Sequence, residues 1–389
     1  MIKRYRIGSV FGIPIEVDVS LLVVIPVVTW VIATDVGAVA RLLELTAGVQ
    51  IDRAAISAGP WPWLVGVICA LGLFVSVGLH ELGHSLVALR SGYDIDAIQL
   101  WLLGGIAHFA DQPDQWDDEL RIAVAGPAVS VLLGAVGLAI LTLLPTSVPN
   151  GQLVVGYLGV VNLVLAGFNL LPGFPMDGGR ILRAILSRTR PLAEATELAA
   201  RVGKVVALCL GLLGVVALNP FLIAIGLFVY LGASSEATQT KLRAVFEGTT
   251  VADLMTADES VRTLDAETTV ASALDRMYDD GHTGYPVCRD GNVVGVVTLE
   301  DLSRLRASEQ ASTAVEDVMS TDLVTVSAGT PAFEALQTMD EEGVGRLLVT
   351  DEQGELAGLV TRSDLLTALA VASTTPEVAR AGRSRLAMG

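Results

Sequence analysis

The sequence predicts a polytopic α-helical membrane protein of about six spans with a short β segment, followed by a soluble α/β domain built from an internal repeat. Three observations carry that reading. Uncharged apolar runs recur: 19 residues from Trp61 to Leu79, 55 from Ile122 to Met176 and 31 from Val205 to Ser235. About 20 apolar residues in a helix suffice to cross a bilayer. The 389-residue chain is 52% hydrophobic and only 17% charged, with a mean hydropathy of +0.59, more apolar and less charged than ordinary soluble domains. After Lys241 the pattern changes to short strand-like runs alternating with amphipathic segments, and these repeat at an offset of 62 to 64 residues.

Taken in order, Lys3, Arg4 and Arg6 precede an apolar run from Val19 to Thr34 that can extend to Ala40. A basic start and Ala38-Val39-Ala40 superficially look like a cleaved signal. The run is long, however, and Glu16 and Asp18 interrupt its approach, so it reads as a first span. Residues 41–60 read as a mixed loop and 62–88 as the second span. Ile95 to Phe109, rich in β-formers and broken by Gly104-Gly105, reads as short strands or a hairpin packed near the membrane face. The break from Pro145 to Gly151 divides the longest uncharged run into a third span near 120–144 and a fourth near 153–171. With Arg201 and Lys204 snorkelling, a fifth span can begin near Ala199, and Asn219-Pro220 separates it from a sixth. Six spans place Lys3, Arg4, Arg6, Arg90, Arg180 and Lys241 on one side and Arg41 and Arg53 on the other. Positive charge marks the cytoplasmic side, so both termini and the C-terminal domain of this multi-pass cell-membrane protein are expected there.

The expected domains are 1–245 in the membrane, repeats at 246–310 and 311–370, and a disordered tail at 371–389. Val251-Ala-Asp-Leu-Met255 matches Val315-Glu-Asp-Val-Met319, and Gly295-Val-Val-Thr-Leu-Glu-Asp-Leu302 matches Gly358-Leu-Val-Thr-Arg-Ser-Asp-Leu365. The formal charge is −17, of which −14 falls from Thr249 onward, where 24 Asp and Glu face 10 Lys and Arg. That acidity argues against nucleic acid as a partner. Cys69, Cys209 and Cys288 are scattered and odd in number, so neither a disulfide framework nor a cysteine zinc site follows.

The chemistry centres on His80-Glu81-Leu82-Gly83-His84. On a helix, residues four apart share a face, so His80 and His84 can reach one metal ion, with Glu81 placed to take a proton from an activated water. Two imidazoles make an incomplete zinc site, which usually has a third protein ligand. Asp177 is the candidate. It closes the 55-residue uncharged run within Asn169-Leu-Leu-Pro-Gly-Phe-Pro-Met-Asp-Gly-Gly-Arg180, where two prolines and two glycines favour a broken backbone that can line a site at membrane depth. Asp177 could instead cap the helix that follows. Asn169 could bind substrate or the oxyanion, or make an interhelical hydrogen bond. Peptide hydrolysis is the reaction this set fits.

These residues resemble the site-2 protease family of intramembrane zinc metalloproteases, whose motifs are similar to HELGH at 80–84 and NLLPGFPMDGG at 169–179, in the same order. Gly104-Gly105-Ile106-Ala107 and Phe11-Gly-Ile-Pro14 are also similar, so the resemblance covers roughly residues 1–240. It implies one catalytic zinc held by His80, His84 and Asp177, with Glu81 as base. It further implies a substrate-aligning strand at Gly104 and Gly105, Asn169 as a substrate contact, and single-span membrane proteins as substrates. Position 18 is Asp where many relatives carry His. The repeat at 250–370 resembles a pair of CBS domains. That resemblance implies AMP, ADP or ATP as ligand, with Thr298, Asp301, Thr361 and Asp364 meeting the nucleotide, Arg346 or Arg362 offering local positive charge, and pairing into a homodimer. Asp301 and Asp364 could equally be carboxylates at helix N-termini. Two rival functions stand beside the protease: a CBS-regulated channel or transporter, and a catalytically inactive membrane sensor. The first would spread polar residues along several spans, whereas polarity here converges on one locus, and the intact Glu81 argues against the second.

Overall fold

The apolar runs fold as long helices in the computed structural model, which describes residues 4–374 apart from 103, 110–112, 114, 258–259 and 352–354. The chain divides into two units, Met1–Thr240 and Lys241–Gly389.

The first unit opens with an antiparallel hairpin, β1 (Arg4–Val10) and β2 (Ile13–Asp18), turning through Phe11 and Gly12 at positive φ. Sequence reading missed it, because a Phe in left-handed backbone is not a turn signal. Helix α1 (Leu21–Thr34) follows, then α2 (Val36–Ala47), and the two meet at an angle of 73°. The run expected as the first span is therefore broken, and residues 41–47 of α2 together with α3 (Arg53–Ile56) occupy what reads in sequence as loop. The bend has a packing reason. Val36, Ala40 and Leu43 share one face of α2 and are buried with Ile51, Ile56, Val65, Cys69 and Leu153.

Helix α4 (Trp61–Arg90) comes next, then the hairpin of β3 (Ile95–Trp101) and β4 (Gly104–Phe109). The sheet order is β1-β2-β3-β4, with β2 parallel to β3, so among the described residues β4 is an edge strand. Four more helices complete the membrane part, α5 (Trp116–Leu143), α6 (Pro149–Asn169), α8 (Leu192–Val216) and α9 (Pro220–Phe246), with the shorter α7 (Asp177–Ser187) between α6 and α8. Five helices, α4, α5, α6, α8 and α9, are long and apolar enough to cross a membrane, and α1 with α2 makes a sixth span if taken together. Small residues bring them close. Gly137 of α5 lies against Gly159 of α6, and Gly226 of α9 against Ala207 and Gly211 of α8, the close approach that drives association in lipid. Leu208, Leu212, Val216 and Phe221 point outward and exposed, as lipid-facing residues should.

The second unit carries the repeat. A one-turn 3-10 helix, Val251–Asp253, leads through β5 (Thr256–Ala257) and β6 (Leu264–Asp265) to α10 (Val270–Asp280), β7 (Gly284–Arg289), β8 (Asn292–Thr298) and α11 (Leu299–Ser303). A second 3-10 turn, Val315–Asp317, leads to β9 (Thr325–Ser327), α12 (Ala332–Glu341), β10 (Arg346–Thr350), β11 (Leu356–Thr361) and α13 (Arg362–Thr374). The sheets are β6-β7-β8 and β5-β11-β10-β9. The leading segments are exchanged. Val251 N–H donates to Thr330 and Val251 is buried with the second repeat, whereas Val315 N–H donates to Thr268 and is buried with the first. Helix α13 runs to Thr374, and the rest of the tail expected at 371–389 lies outside the described residues.

Candidate metal centre

Helix α4 presents His80 and His84 one turn apart, both 3% exposed, with ring centroids 4.9 Å apart and nearly perpendicular. Asp177 is the first residue of α7. Gly178 and Gly179 fix that start, because their Cα atoms lie against the carbonyl of Leu171 and the backbone of Gly173, where no Cβ fits. The Asp177 carboxylate is turned to the imidazoles rather than spent on capping: Oδ2 is 3.1 Å from His80 Nε2 and 3.2 Å from His84 Nε2. The two Nε2 atoms are themselves 3.2 Å apart.

This triangle can be tested against a zinc ion. Tetrahedral bonds of about 2.0–2.1 Å give ligand–ligand edges of roughly 3.3 Å, close to the three edges observed. The far nitrogens have partners of their own. His84 Nδ1 donates to the Ile122 carbonyl at 2.6 Å, and His80 Nδ1 lies 2.9 Å from Ser130 Oγ. The carbonyl partner turns the His84 Nε2 lone pair inward, and with the Ser130 hydroxyl accepting from His80 Nδ1 the two imidazoles and the Asp177 carboxylate offer three electron pairs that could hold one metal ion. His80, His84 and Asp177 are the one such cluster of three His, Cys, Asp or Glu among the described residues.

The supporting groups come from one face of α5, and sequence reading took that helix only as a span. Ile122 and Ser130 hold the imidazoles. Between them Gly126 leaves room for the rings: a Cβ there would stand 2.6 Å from His84 Cε1 and 2.7 Å from His80 Nε2. The signal present in the sequence was only Gly126 and Ser130, small residues four apart on one face; Ile122 acts through its backbone carbonyl and leaves none. Ser130→Ala should lower zinc affinity by about 10- to 100-fold without unfolding the chain, measured by chelator competition.

Glu81 lies in the same turn of α4, beside β4. A Cβ on Gly105 would overlap Glu81 Cγ and stand 3.1 Å from Cδ, so the strand backbone runs directly over that side chain. Gly104 precedes it at φ +138°, a conformation glycine favours. Asn169 is not brought to the cluster by a hydrogen bond: its Nδ2 donates to Leu165 of its own helix at 3.1 Å. His108, outside the cluster, pairs with Gln99 across the hairpin at 2.9 Å.

Comparison with known proteins then decides the family. The model of peptidase family M50 matches residues 68–151 and 147–210, and the CBS-domain model matches 251–308 and 315–371. A zinc metalloprotease of Methanocaldococcus jannaschii is 34% identical over 373 residues, 96% of this chain and 98% of its own. The chain belongs to peptidase family M50. It is a site-2 protease-like zinc metallopeptidase carrying a CBS pair. Among solved structures, the site-2 protease of M. jannaschii is 36% identical over 60% of this M50 chain and 95% of its own, with a TM-score of 0.42. CBSX2, crystallised with AMP, is 30% identical over 32% of this chain and 99% of its own, with a TM-score of 0.30.

In the CBS pair of this M50 protein, Thr298 and Asp301 form a capping box at the start of α11, with Thr298 N–H donating to Asp301 Oδ2 at 3.0 Å and Thr298 Oγ1 to the same oxygen at 2.7 Å. Thr361 and Asp364 repeat it at 2.9 and 2.7 Å. Both aspartates therefore hold helix N-termini, each cap adding about 1 kcal/mol. Arg346 lies over Gly284 and donates to Thr283 Oγ1 at 3.4 Å. Burial pulls its guanidinium below the ordinary value, while nearby Asp301 works the other way. Arg362 pairs with Asp340 and donates to the Val344 carbonyl.

Proposed function

We propose that this M50 chain hydrolyses peptide bonds of single-span membrane proteins in or near the bilayer, and that adenine nucleotide in the CBS pair modulates the rate. The observation that carries the reading is the convergence of His80, His84 and Asp177, from two apolar segments, beside Glu81. Zinc held by these three would supply a Lewis acid for the scissile carbonyl and a water acidic enough to deprotonate near neutrality. Glu81 takes the proton of the attacking water and returns it to the leaving amine. Ser130 and the Ile122 carbonyl keep the imidazoles oriented.

An edge strand supports the substrate class. β4 ends its sheet among the described residues, and an extended segment can add to such an edge through backbone hydrogen bonds. A membrane helix has no free backbone groups to offer, so the substrate must unwind locally. Gly104 and Gly105 let it approach Glu81, and Asn169 binds it once its side chain leaves Leu165. Arginine and lysine distribution supports cytoplasmic termini, with the metal toward that side. Incubation of the purified protein with a single-span substrate in detergent should yield products cut within or beside the span; cuts confined to its soluble loops would contradict the reading.

For the nucleotide, each capping aspartate commits Oδ2 to its helix, and Oδ1, which at Asp301 lies 4.0 Å from Arg304 Nη1, is the oxygen that meets ribose hydroxyls. Thr298 and Thr361 fix the turns, and Arg346 and Arg362 supply positive charge for phosphate within an acidic domain. The AMP in CBSX2 supports this ligand class, and the CBS pair is also the surface through which we expect two copies to associate. Asp301→Ala with Asp364→Ala should weaken AMP binding at least about tenfold by calorimetry, since charged hydrogen bonds contribute about 1.5–3 kcal/mol each. An unchanged affinity would reject the ribose assignment.

A further inference from the structure

A second ionic cluster sits in the first unit, and the hydrolytic chemistry does not use it. Arg183 of α7 is 6% exposed and Glu119 of α5 is 4% exposed. Arg183 Nε donates to Glu119 Oε1 at 2.6 Å, and its Nη1 to Glu236 Oε1 of α9 at 2.6 Å. Its guanidinium also stands 5.1 Å above the ring of Phe174, in the loop that delivers Asp177. One cation thus ties together α5, α7, α9 and that loop.

Each tie leads to the metal cluster. Asp177 and Arg183 belong to the same short helix, so whatever holds Arg183 holds the carboxylate. Glu119 is three residues before Ile122, whose carbonyl fixes His84, and the same helix carries Gly126 and Ser130. The Arg183–Glu119 bridge therefore sets α7 against the helix that backs both imidazoles. A buried charge pair costs desolvation that packed apolar residues would avoid, so its placement here calls for a role beyond cohesion. The third arm adds a direction. Glu236 lies on α9, the helix that crosses the boundary between units after Thr240 and ends at Phe246, buried in the core of the second repeat.

We propose that Arg183 is a positioning residue for Asp177 and that Glu236 makes this positioning depend on α9, the helix continuous with the CBS pair. The inference rests on Asp177 being a zinc ligand, so the experiment separates the two. Full-length wild type, Asp177→Asn, Glu236→Gln, Arg183→Lys and Arg183→Met are purified in detergent. Zinc affinity by chelator competition, kcat and KM on a single-span substrate, and thermal stability are measured for the folded fraction.

Glu236→Gln is expected to weaken zinc binding and lower kcat by about 10-fold with KM unchanged, and Arg183→Met by up to about 100-fold, with Arg183→Lys recovering part of the loss. A purely structural triad would lower the melting temperature and leave zinc affinity and kcat of the folded fraction at wild-type values, which overturns the proposal. If Asp177→Asn keeps wild-type zinc affinity, the ligand assignment itself has failed, whatever the triad variants do.

Discussion

Glu81→Gln should leave the purified protein with its zinc and lower hydrolysis of a single-span substrate by about 10²–10⁴-fold, the range a positioned acid–base group contributes. The substitution is nearly isosteric, so the strand at Gly105, which packs on this side chain, keeps its place. Glu81 is not among the three clustered donors, so metal retention is expected. What changes is proton chemistry: an amide cannot accept the proton of the attacking water or hand it to the leaving nitrogen. A KM that stays near wild type would locate the loss in the chemical step. Cleavage at the wild-type rate would remove Glu81 from its role.

Gly126→Ala should abolish zinc binding with a single methyl group. In an ordinary helix, glycine to alanine is favourable by roughly 1 kcal/mol. Here the added carbon would fall 2.6 Å from His84 Cε1 and 2.7 Å from His80 Nε2, well inside contact distance. Neither ring can simply swing away, since Ile122 and Ser130 hold their far nitrogens and Asp177 stands opposite. The folded variant should therefore match or exceed wild type in helix content while metal analysis finds zinc lost and activity gone. Full zinc occupancy in this variant would mean that α5 does not back the site.

Much of this was legible in the chain. The uncharged runs marked five of the spans because lipid imposes length and apolarity on any helix that crosses it. His80 and His84 could be paired from spacing alone, and Asp177 from its isolation at the end of 55 uncharged residues. The repeat motif at Val251 and Val315 became a 3-10 turn in both copies. Other features depend on three-dimensional neighbours that leave no local pattern. The bend between α1 and α2 follows from Val36, Ala40 and Leu43 packing on distant residues. Gly126 reads as one more small residue in a span until the imidazoles are placed against it. Arg183 and Glu119 are 64 positions apart in the chain, and only the fold joins them. The exchange of leading segments between the repeats is likewise invisible to an alignment of one repeat on the other.

Everything chemical here depends on one cation held jointly by α4 and the start of α7. Quantitative metal analysis of the wild-type protein beside Asp177→Asn, after equal dialysis against a mild chelator, tests this most directly. One zinc per wild-type chain and near-total loss from the variant is the expected result. Equal zinc in both would contradict it.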